Sequence, residues 1–478
     1  MKGAIQDQVP EAQPQRQTRD PADAHAEKGT PTEPQHTSDS TSNPEPQLER
    51  WNHPRSNIFK TLATFWAFLV MGANDSAYGP LIPYLETYYN LSYTTVSLVF
   101  LSPIAGYTLA ALTNHTLHAR VGRRGIALLS PSCHLLAYIV NCLHPPYPVL
   151  VVSFVFAGLG NGLADSAWNA WIGNMENSNQ VLGLLHGWYG VGATVTPVIA
   201  TGIITGSSDV GWWGIYYVLV GCAAIEVIVC LWAFWDSTAA VFRAEQAVSA
   251  SASASAEVSA ADESETREPE SGNTQPQADR ETGGVRRALF VPRYAWVTWI
   301  LAFFLLGYVG VEVALGGWIV TFLMRVRDGA AFEIGMGATG FWLGITVGRV
   351  VLGFVTPVVG EKVAISIYLV LSIACGLVLW LVPNFYASVV AVSVQGFFLG
   401  PMFPGAVVVA TRLLPRGLHV SAIGFAAAFG ASGAAVLPFA VGAIAQAKGV
   451  EVLQPFSVGL SAALVVLWLG LPRIPKET

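Results

Sequence analysis

Apolar residues gather along this chain into twelve stretches, roughly 58–84, 93–114, 124–143, 148–173, 181–205, 213–237, 294–324, 334–356, 363–382, 384–410, 420–446 and 452–471. Each is near or above the ~20 residues with which an α-helix crosses a hydrocarbon layer about 30 Å thick. Two stretches break the pattern. Residues 1–57 and 238–290 are rich in Pro, Gln, Ser, Thr and charge, and carry too few large apolar side chains to fold around a core. The expected organisation is a disordered cytoplasmic tail (1–57), a six-helix bundle (58–237), a disordered cytoplasmic linker (238–290) and a second six-helix bundle (291–478). That is an all-α membrane protein with twelve transmembrane helices in two pseudo-symmetric bundles.

Basic residues orient it. With both termini inside, Arg120, Arg123, Arg124, Arg286, Arg287, Arg293, Lys362, Arg412, Arg416, Arg473 and Lys476 fall on the cytoplasmic side, leaving Arg325, Arg327 and Lys448 outside. This is the asymmetry of the positive-inside rule. The halves are also related in sequence. Gly106 and Gly344, Gly122 and Gly360, Gly158 and Gly396, and Arg124 and Lys362 are each 238 residues apart. Asp75-Ser-Ala-x-Gly79 answers Glu312-Val-Ala-x-Gly316, and Gly192-Ala-x-Val-x-Pro197 answers Gly433-Ala-x-Val-x-Pro438. A recurring offset over several helices points to a duplicated unit with a binding site at the midplane between the copies.

Polar residues inside apolar stretches mark where that site lies. The fourth stretch contains Gly158-Leu-Gly-Asn-Gly-Leu-Ala-Asp-Ser-Ala-Trp168-Asn169, with Asp165 near the bilayer centre. A carboxylate there costs about 2.5–3.5 kcal/mol on insertion scales, so it is expected to serve function. Asn161, Asp165 and Trp168 share a sector of about 60° at 100° per residue, with Asn169 beside it. An Asp neutralised in helix packing is the alternative. Asn74-Asp75 stands in the first stretch, and Glu312, one turn after Tyr308, occupies the matching place in the seventh. His186 is weighed as a proton relay against a satisfied interface histidine, and Trp168 and Trp318 as stacking faces. Asn74, Asn161, Asn169 and Gln395 serve as neutral hydroxyl partners. Arg349 is expected near the cytoplasmic end as a gate. Glu226 lies alone in an apolar helix, and nothing in the sequence links it to Arg349.

Composition narrows the class further. Of 478 residues, 53% are hydrophobic and 12% charged, which places the chain among polytopic membrane proteins. Its net charge of -6 lies largely in the tail and linker and indicates no nucleic-acid partner. The five cysteines sit in apolar stretches without metal-ligand spacing. No Walker loop, zinc-spaced cluster or Ser/His/Asp set is present, so the expectation is a non-enzymatic protein without metal or cofactor.

These features resemble the major facilitator superfamily. Leu117-His-Ala-Arg120-Val-Gly122-Arg123-Arg124 looks like that superfamily's Gly-x-x-x-Asp-Arg-x-Gly-Arg-Arg loop, and Gly353-Phe-Val-Thr-Pro-Val-Val-Gly360-Glu-Lys362 like its second copy. Ala119 and Pro357 stand where the motif aspartate is expected, and His115 replaces a glycine. The resemblance implies gating roles for Arg120, Arg123 and Arg124. A narrower likeness is to the fucose-permease-like branch and its fungal, bypass-of-stop-codon-type members. It implies that Asp75 and Asp165 serve proton coupling, with Glu312 as the repeat counterpart of Asp75.

The function expected is a monomeric secondary transporter in the plasma membrane or an endomembrane. It would move a small neutral polar solute, a sugar in the first instance, together with protons. A proton-antiport exporter of drugs or metabolites, and a non-transporting receptor or scaffold, are the alternatives. An anionic solute is disfavoured, because the sequence shows no cation at the midplane.

Overall fold

The computed structural model describes residues 49–206, 209–245, 247, 286–415 and 418–472. The tail to residue 48, most of the expected linker, and Arg416, Arg473 and Lys476 lie outside them. The helices are α1 (Ser56–Tyr89), the short α2 (Tyr93–Val96), α3 (Leu98–Cys142), α4 (Tyr147–Gly173), α5 (Ser178–Gly206) and α6 (Gly214–Ala233). They continue with α7 (Pro292–Val326), α8 (Ala331–Val359), α9 (Glu361–Leu381), α10 (Phe385–Leu399), α11 (Met402–Leu413), α12 (His419–Lys448) and α13 (Leu453–Leu469). Residues 239–245 and 286–290, at the ends of the expected linker, are also helical. Among the described residues, ten helices are long and apolar enough to cross a membrane. α1 is not among the ten; its polar run Asn74-Asp75-Ser76 interrupts an otherwise apolar rod.

Two expected loops turn out to be helical junctions. The stretch 117–124 belongs to the continuous α3, broken only at Gly122, whose φ of 69° and ψ of -175° leave the helical region. An L side chain is disfavoured there, and the backbone of Thr238 and Ala239 occupies the space a Cβ would need. Gly360, its repeat partner, has φ 93° between α8 and α9. The stretch 384–410 is likewise divided, with Gly400 and Pro401 separating α10 from α11.

The glycines show how these helices pack. A Cβ on Gly106 of α3 would strike the Val155 carbonyl and Leu159 amide of α4. On Gly344 of α8 it would strike the Ser393 carbonyl and Phe397 amide of α10, each partner 238 residues further on. Gly158 presses on Pro103 and Gly396 on Phe341, again at that offset, while Gly192 meets Leu69 of α1 and Gly433 meets Leu306 of α7. Lipid offers helices no hydrophobic drive to associate, so close backbone contact at small residues supplies much of the attraction. Gly158→Leu is expected to push α4 off α3 and to cost about 1–3 kcal/mol or more, as overpacking does. A lowered melting temperature of the purified protein in detergent would register it.

Candidate functional site

α1 and α7 meet where Gly79 lies against the Gly316 carbonyl. One helical turn before each glycine stands an acid, Asp75 on α1 and Glu312 on α7. Asp75 is half-buried. Its Oδ1 accepts from Asn74 Nδ2 at 3.0 Å and from Asn161 Nδ2 of α4 at 3.2 Å, and its Oδ2 accepts from the Tyr189 hydroxyl of α5 at 3.0 Å. Asn74 also donates to the Tyr78 hydroxyl at 3.0 Å. All the donors on Asp75 are neutral, and among the described residues it belongs to no salt bridge.

Asp165 is one turn along α4 from Asn161. Its Oδ1 accepts from Asn169 Nδ2 at 2.8 Å, and the Asn169 Oδ1 faces His186 Nε2 of α5 at 3.2 Å. Tyr107 of α3 flanks Asp75, Asn161 and Asp165. Asp165 and Asn169 are half-buried and His186 is exposed, so this strip lines accessible space.

The other wall is an ion pair. Arg349 of α8 donates from Nη2 to Glu312 Oε1 at 3.1 Å and from Nε to the Gly400 carbonyl at 3.3 Å. Tyr308 flanks both charges, and His186 and Tyr189 of α5 are the groups facing Arg349 across the space. Arg349 therefore sits well inside α8, turned toward α7, and not near the helix end where the sequence placed it. The cause is Glu312: a buried carboxylate draws the long guanidinium inward. Its presence also removes the reason for disfavouring an anionic solute.

The two walls are joined at one end and part at the other. At the end holding Glu86 and Arg325, those side chains approach to 3.5 Å, the Tyr93 amide donates to Gln446 Oε1 at 2.8 Å, and Gly442 abuts Ser97 and Trp318. Gly335 packs on Thr201 there, and nearer the middle Gly190 packs on Thr346. Seven residues on from that contact, on the same faces of α5 and α8, Gly183 and Gly353 have nothing within 4 Å. The crevice thus opens toward the ends of α5 and α8 that carry Ser178 and Val359.

Several expected residues lie elsewhere. Trp168 is 1% exposed and stacks on Phe234, the residue that follows α6, with centroids 4.4 Å apart. It falls on the side of the α4 sector that turns into its own bundle, whereas Asp165 and Asn169 turn toward α5. Trp318 is fully buried, donates to the Pro438 carbonyl at 2.9 Å and packs edge-on against Tyr93. Neither ring is available for stacking on a solute. Gln395 is fully buried beside Gly376 of α9, away from the crevice. Of the basic residues in the first motif, Arg120 is exposed, Arg123 pairs with Glu245 at 2.8 Å, and Arg124 lies 3.4 Å over the Trp235 ring. Glu245 belongs to the helical residues 239–245, inside what composition marks as linker; it gives the motif's Arg123 an acidic partner in a chain where Ala119 replaces the motif aspartate. Lys362 of the second copy donates to the Leu471 carbonyl. Sequence reasoning missed Tyr189, Tyr107 and His134. Only His134, a histidine in an apolar stretch, carried a readable signal.

A many-helix membrane bundle with carboxylates around a crevice open at one end and closed at the other defines a transporter of small molecules, embedded in the bilayer as a multi-pass protein. The chain belongs to the Major Facilitator Superfamily, whose sequence model matches residues 64–330 and 313–478; its members are carriers and not enzymes. It is 30% identical over 431 residues to the Bypass of stop codon protein 6 of Saccharomyces cerevisiae, covering 87% of this chain and 83% of that one. Among solved structures it is similar to a POT family transporter in complex with 5-aminolevulinic acid, with a TM-score of 0.61, 15% identity, and 89% and 96% of the two chains covered. It is similar also to the transporter FucP in the outward conformation, with a TM-score of 0.54, 14% identity, and 86% and 98% covered. At these identities the structural likeness carries the fold alone.

Proposed function

We propose that the chain is a twelve-span, two-bundle carrier with cytoplasmic termini, moving a small neutral polyhydroxylated solute by proton-coupled alternating access. Twelve spans follow if α1 is added to the ten apolar helices and the rod through α3 is divided at Gly122. The recurrence of glycine contacts at one offset supports two equivalent bundles. With the termini inside, the open end of the crevice faces the cytoplasm.

The observation that carries the coupling is Asp75 held by three neutral donors beside accessible space. A carboxylate without a counter-charge is one that a proton can neutralise, and coupling transport to protons needs such a change of charge during the cycle. Asp165, answered by Asn169 alone, is the second candidate. Asn161, Asn169, His186 and Tyr189 offer donors and acceptors for hydroxyls, the chemistry of a sugar edge. FucP, which shares the fold, is the Fucose:proton symporter of E. coli, and that lends support to the same class.

One observation favours a second reading. Arg349, with its side chain 26% exposed, could serve a carboxylate-bearing solute. Uptake of labelled hexoses, pentoses, polyols, a carboxylate and a lipophilic cation into proteoliposomes, with and without a pH gradient, decides between them. We expect hexose or polyol uptake driven by an inward proton gradient, with deoxy analogues competing worse by about 1–3 kcal/mol per lost hydroxyl that leaves a buried amide unpaired. Transport of the lipophilic cation alone would replace the sugar reading by the exporter, and transport of the carboxylate alone would favour the Arg349 reading.

A further inference from the structure

Behind Asp75, away from the crevice, a second acid is enclosed. Glu226 of α6 and His134 of α3 are each 0% exposed, and Glu226 Oε2 lies 3.0 Å from His134 Nδ1. Glu226 Oε1 and His134 Nε2 have no hydrogen-bond partner, and neither has Oδ1 of Asn161. Yet Asn161 is the next side chain around the histidine, with Asp75 behind it. Gly160 makes this possible, since a Cβ there would strike the imidazole. Asn161 already donates its amide N–H to Asp75 Oδ1. Its Oδ1 is then the natural acceptor for a proton on His134 Nε2. One amide stands between a carboxylate at the crevice wall and a sealed imidazole–carboxylate pair.

The 3.0 Å contact between Nδ1 and Oε2 requires one proton between them, on the nitrogen or on the oxygen. Without it a nitrogen lone pair faces a carboxylate lone pair, and the contact is repulsive. A neutral imidazole in its Nδ1–H tautomer supplies that proton and leaves the pair with one negative charge; one further proton makes the pair neutral overall, as imidazolium–carboxylate or as imidazole–carboxylic acid. The other titratable groups around the pair are Asp75 from α1, Tyr138 from α3 with Tyr78 of α1 beyond it, and Cys222 and Cys230 from α6. These are an acid, phenols and thiols, and none is a lysine or arginine that could hold Glu226 ionised in place of the proton. The equivalent place in the second half carries no such pair among the described residues: 238 residues after His134 stands Ser372, buried with its hydroxyl unpartnered.

We propose that Glu226 and His134 form a second proton-binding site of this carrier, whose occupancy Asp75 senses through Asn161. A proton arriving from water joins the singly charged pair at His134 Nε2, the ring nitrogen left bare, and leaves by the reverse step, with no other bond made or broken. When the pair is loaded, its net charge is zero and Asp75 carries the one uncancelled charge of the cluster. When the pair is empty, Glu226 adds a second negative charge behind Asp75, and two such charges titrate as a coupled system. The proposal rests on the proton-coupled reading above and adds a site to it.

The test needs no solute. The full-length protein in lipid nanodiscs is titrated with acid, and infrared difference spectra follow carboxylic acid and carboxylate bands alongside the protons taken up per molecule. Wild type is compared with Asp75→Asn, Glu226→Gln and the double variant His134→Gln/Glu226→Gln. Glutamine at 226 can still donate to a neutral His134, so a hydrogen bond survives without a titrating proton; the double variant covers the case in which the single one does not fold. We expect Glu226→Gln, or the double variant, to remove one proton and one carboxyl signal and to shift the Asp75 midpoint by about one pH unit or more, the interaction at which sites titrate as a pair. A wild-type spectrum and proton count in those variants would overturn the proposal. So would a lost signal with an unmoved Asp75 midpoint. An Asp75→Asn variant that titrates like wild type would instead sink the role of Asp75 in coupling, so the two failures are told apart.

Discussion

Replacing Arg349 by alanine is expected to destabilise the protein by about 3–5 kcal/mol, the cost of leaving a buried charge without its partner. Glu312 is 6% exposed, and Arg349 is the cation bound to it. Since the guanidinium is itself 26% exposed at its side chain, the lower part of that range is expected. Arg349→Lys should rescue only in part. The arginine uses two edges of its planar fork, Nη2 on Glu312 and Nε on the Gly400 carbonyl, and an ammonium cannot span both. The double variant Arg349→Met/Glu312→Gln should recover most of the stability, because it removes both charges together. Thermal unfolding of the purified variants in one detergent checks all three. If Arg349→Ala melts like wild type, the pair has no structural weight, and its place beside His186 and Tyr189 would point to the solute alone.

Asp75→Asn is expected to abolish gradient-driven accumulation and spare counterflow. An asparagine keeps one oxygen to accept from Asn74 and Asn161 and turns an NH2 toward the Tyr189 hydroxyl, which can accept from it, but it can take up no proton, so it mimics the loaded carrier in both orientations. Exchange of solute across the membrane should persist at rates near wild type, while accumulation falls to equilibrium. Asp75→Ala is a different experiment. It leaves Asn74, Asn161 and Tyr189 without their shared acceptor, at about 1–3 kcal/mol for each donor that stays buried and unpaired, and a folding defect is expected on top of the transport defect. Asp165→Asn should act as Asp75→Asn does if the proton visits both carboxylates; undiminished accumulation in that variant assigns the coupling to Asp75.

Much of the fold is legible in the residues themselves. Gly106, Gly158, Gly344 and Gly396 recur at a fixed offset because each is where one helix backbone meets another, a constraint that acts on a residue's own position and therefore survives in the sequence. The acids are legible for a related reason: Asp75, Asp165 and Glu312 cost too much in an apolar stretch to be there by accident. What the residues could not convey is orientation and partnership. Trp168 shares a sector with Asn161, yet a rotation of a few tens of degrees decides whether a ring meets the crevice or Phe234. Arg349 reads as a residue near a helix end until Glu312, 37 positions earlier, is known to sit opposite it. Tyr189 is one aromatic among many in membrane helices, and only the packing of α5 on α1 makes it a donor to Asp75. Glu245 was hidden by composition, since a short helix at the edge of a polar segment looks like the segment. The pairing of His134 with Glu226 joins residues 92 apart in helices that carry no repeat signal at those places.

Solute and proton are held to cross together by way of Asp75, and proteoliposomes loaded with a pH-sensitive dye test this most directly. Purified protein is reconstituted, an inward gradient of the hexose or polyol that the uptake panel identifies is applied without any starting pH difference, and the internal pH is followed with time. The expected result is acidification of the lumen in step with solute entry for wild type, and none for Asp75→Asn, although that variant still exchanges labelled solute. Net entry of the solute into wild-type vesicles with the internal pH unmoved would contradict it.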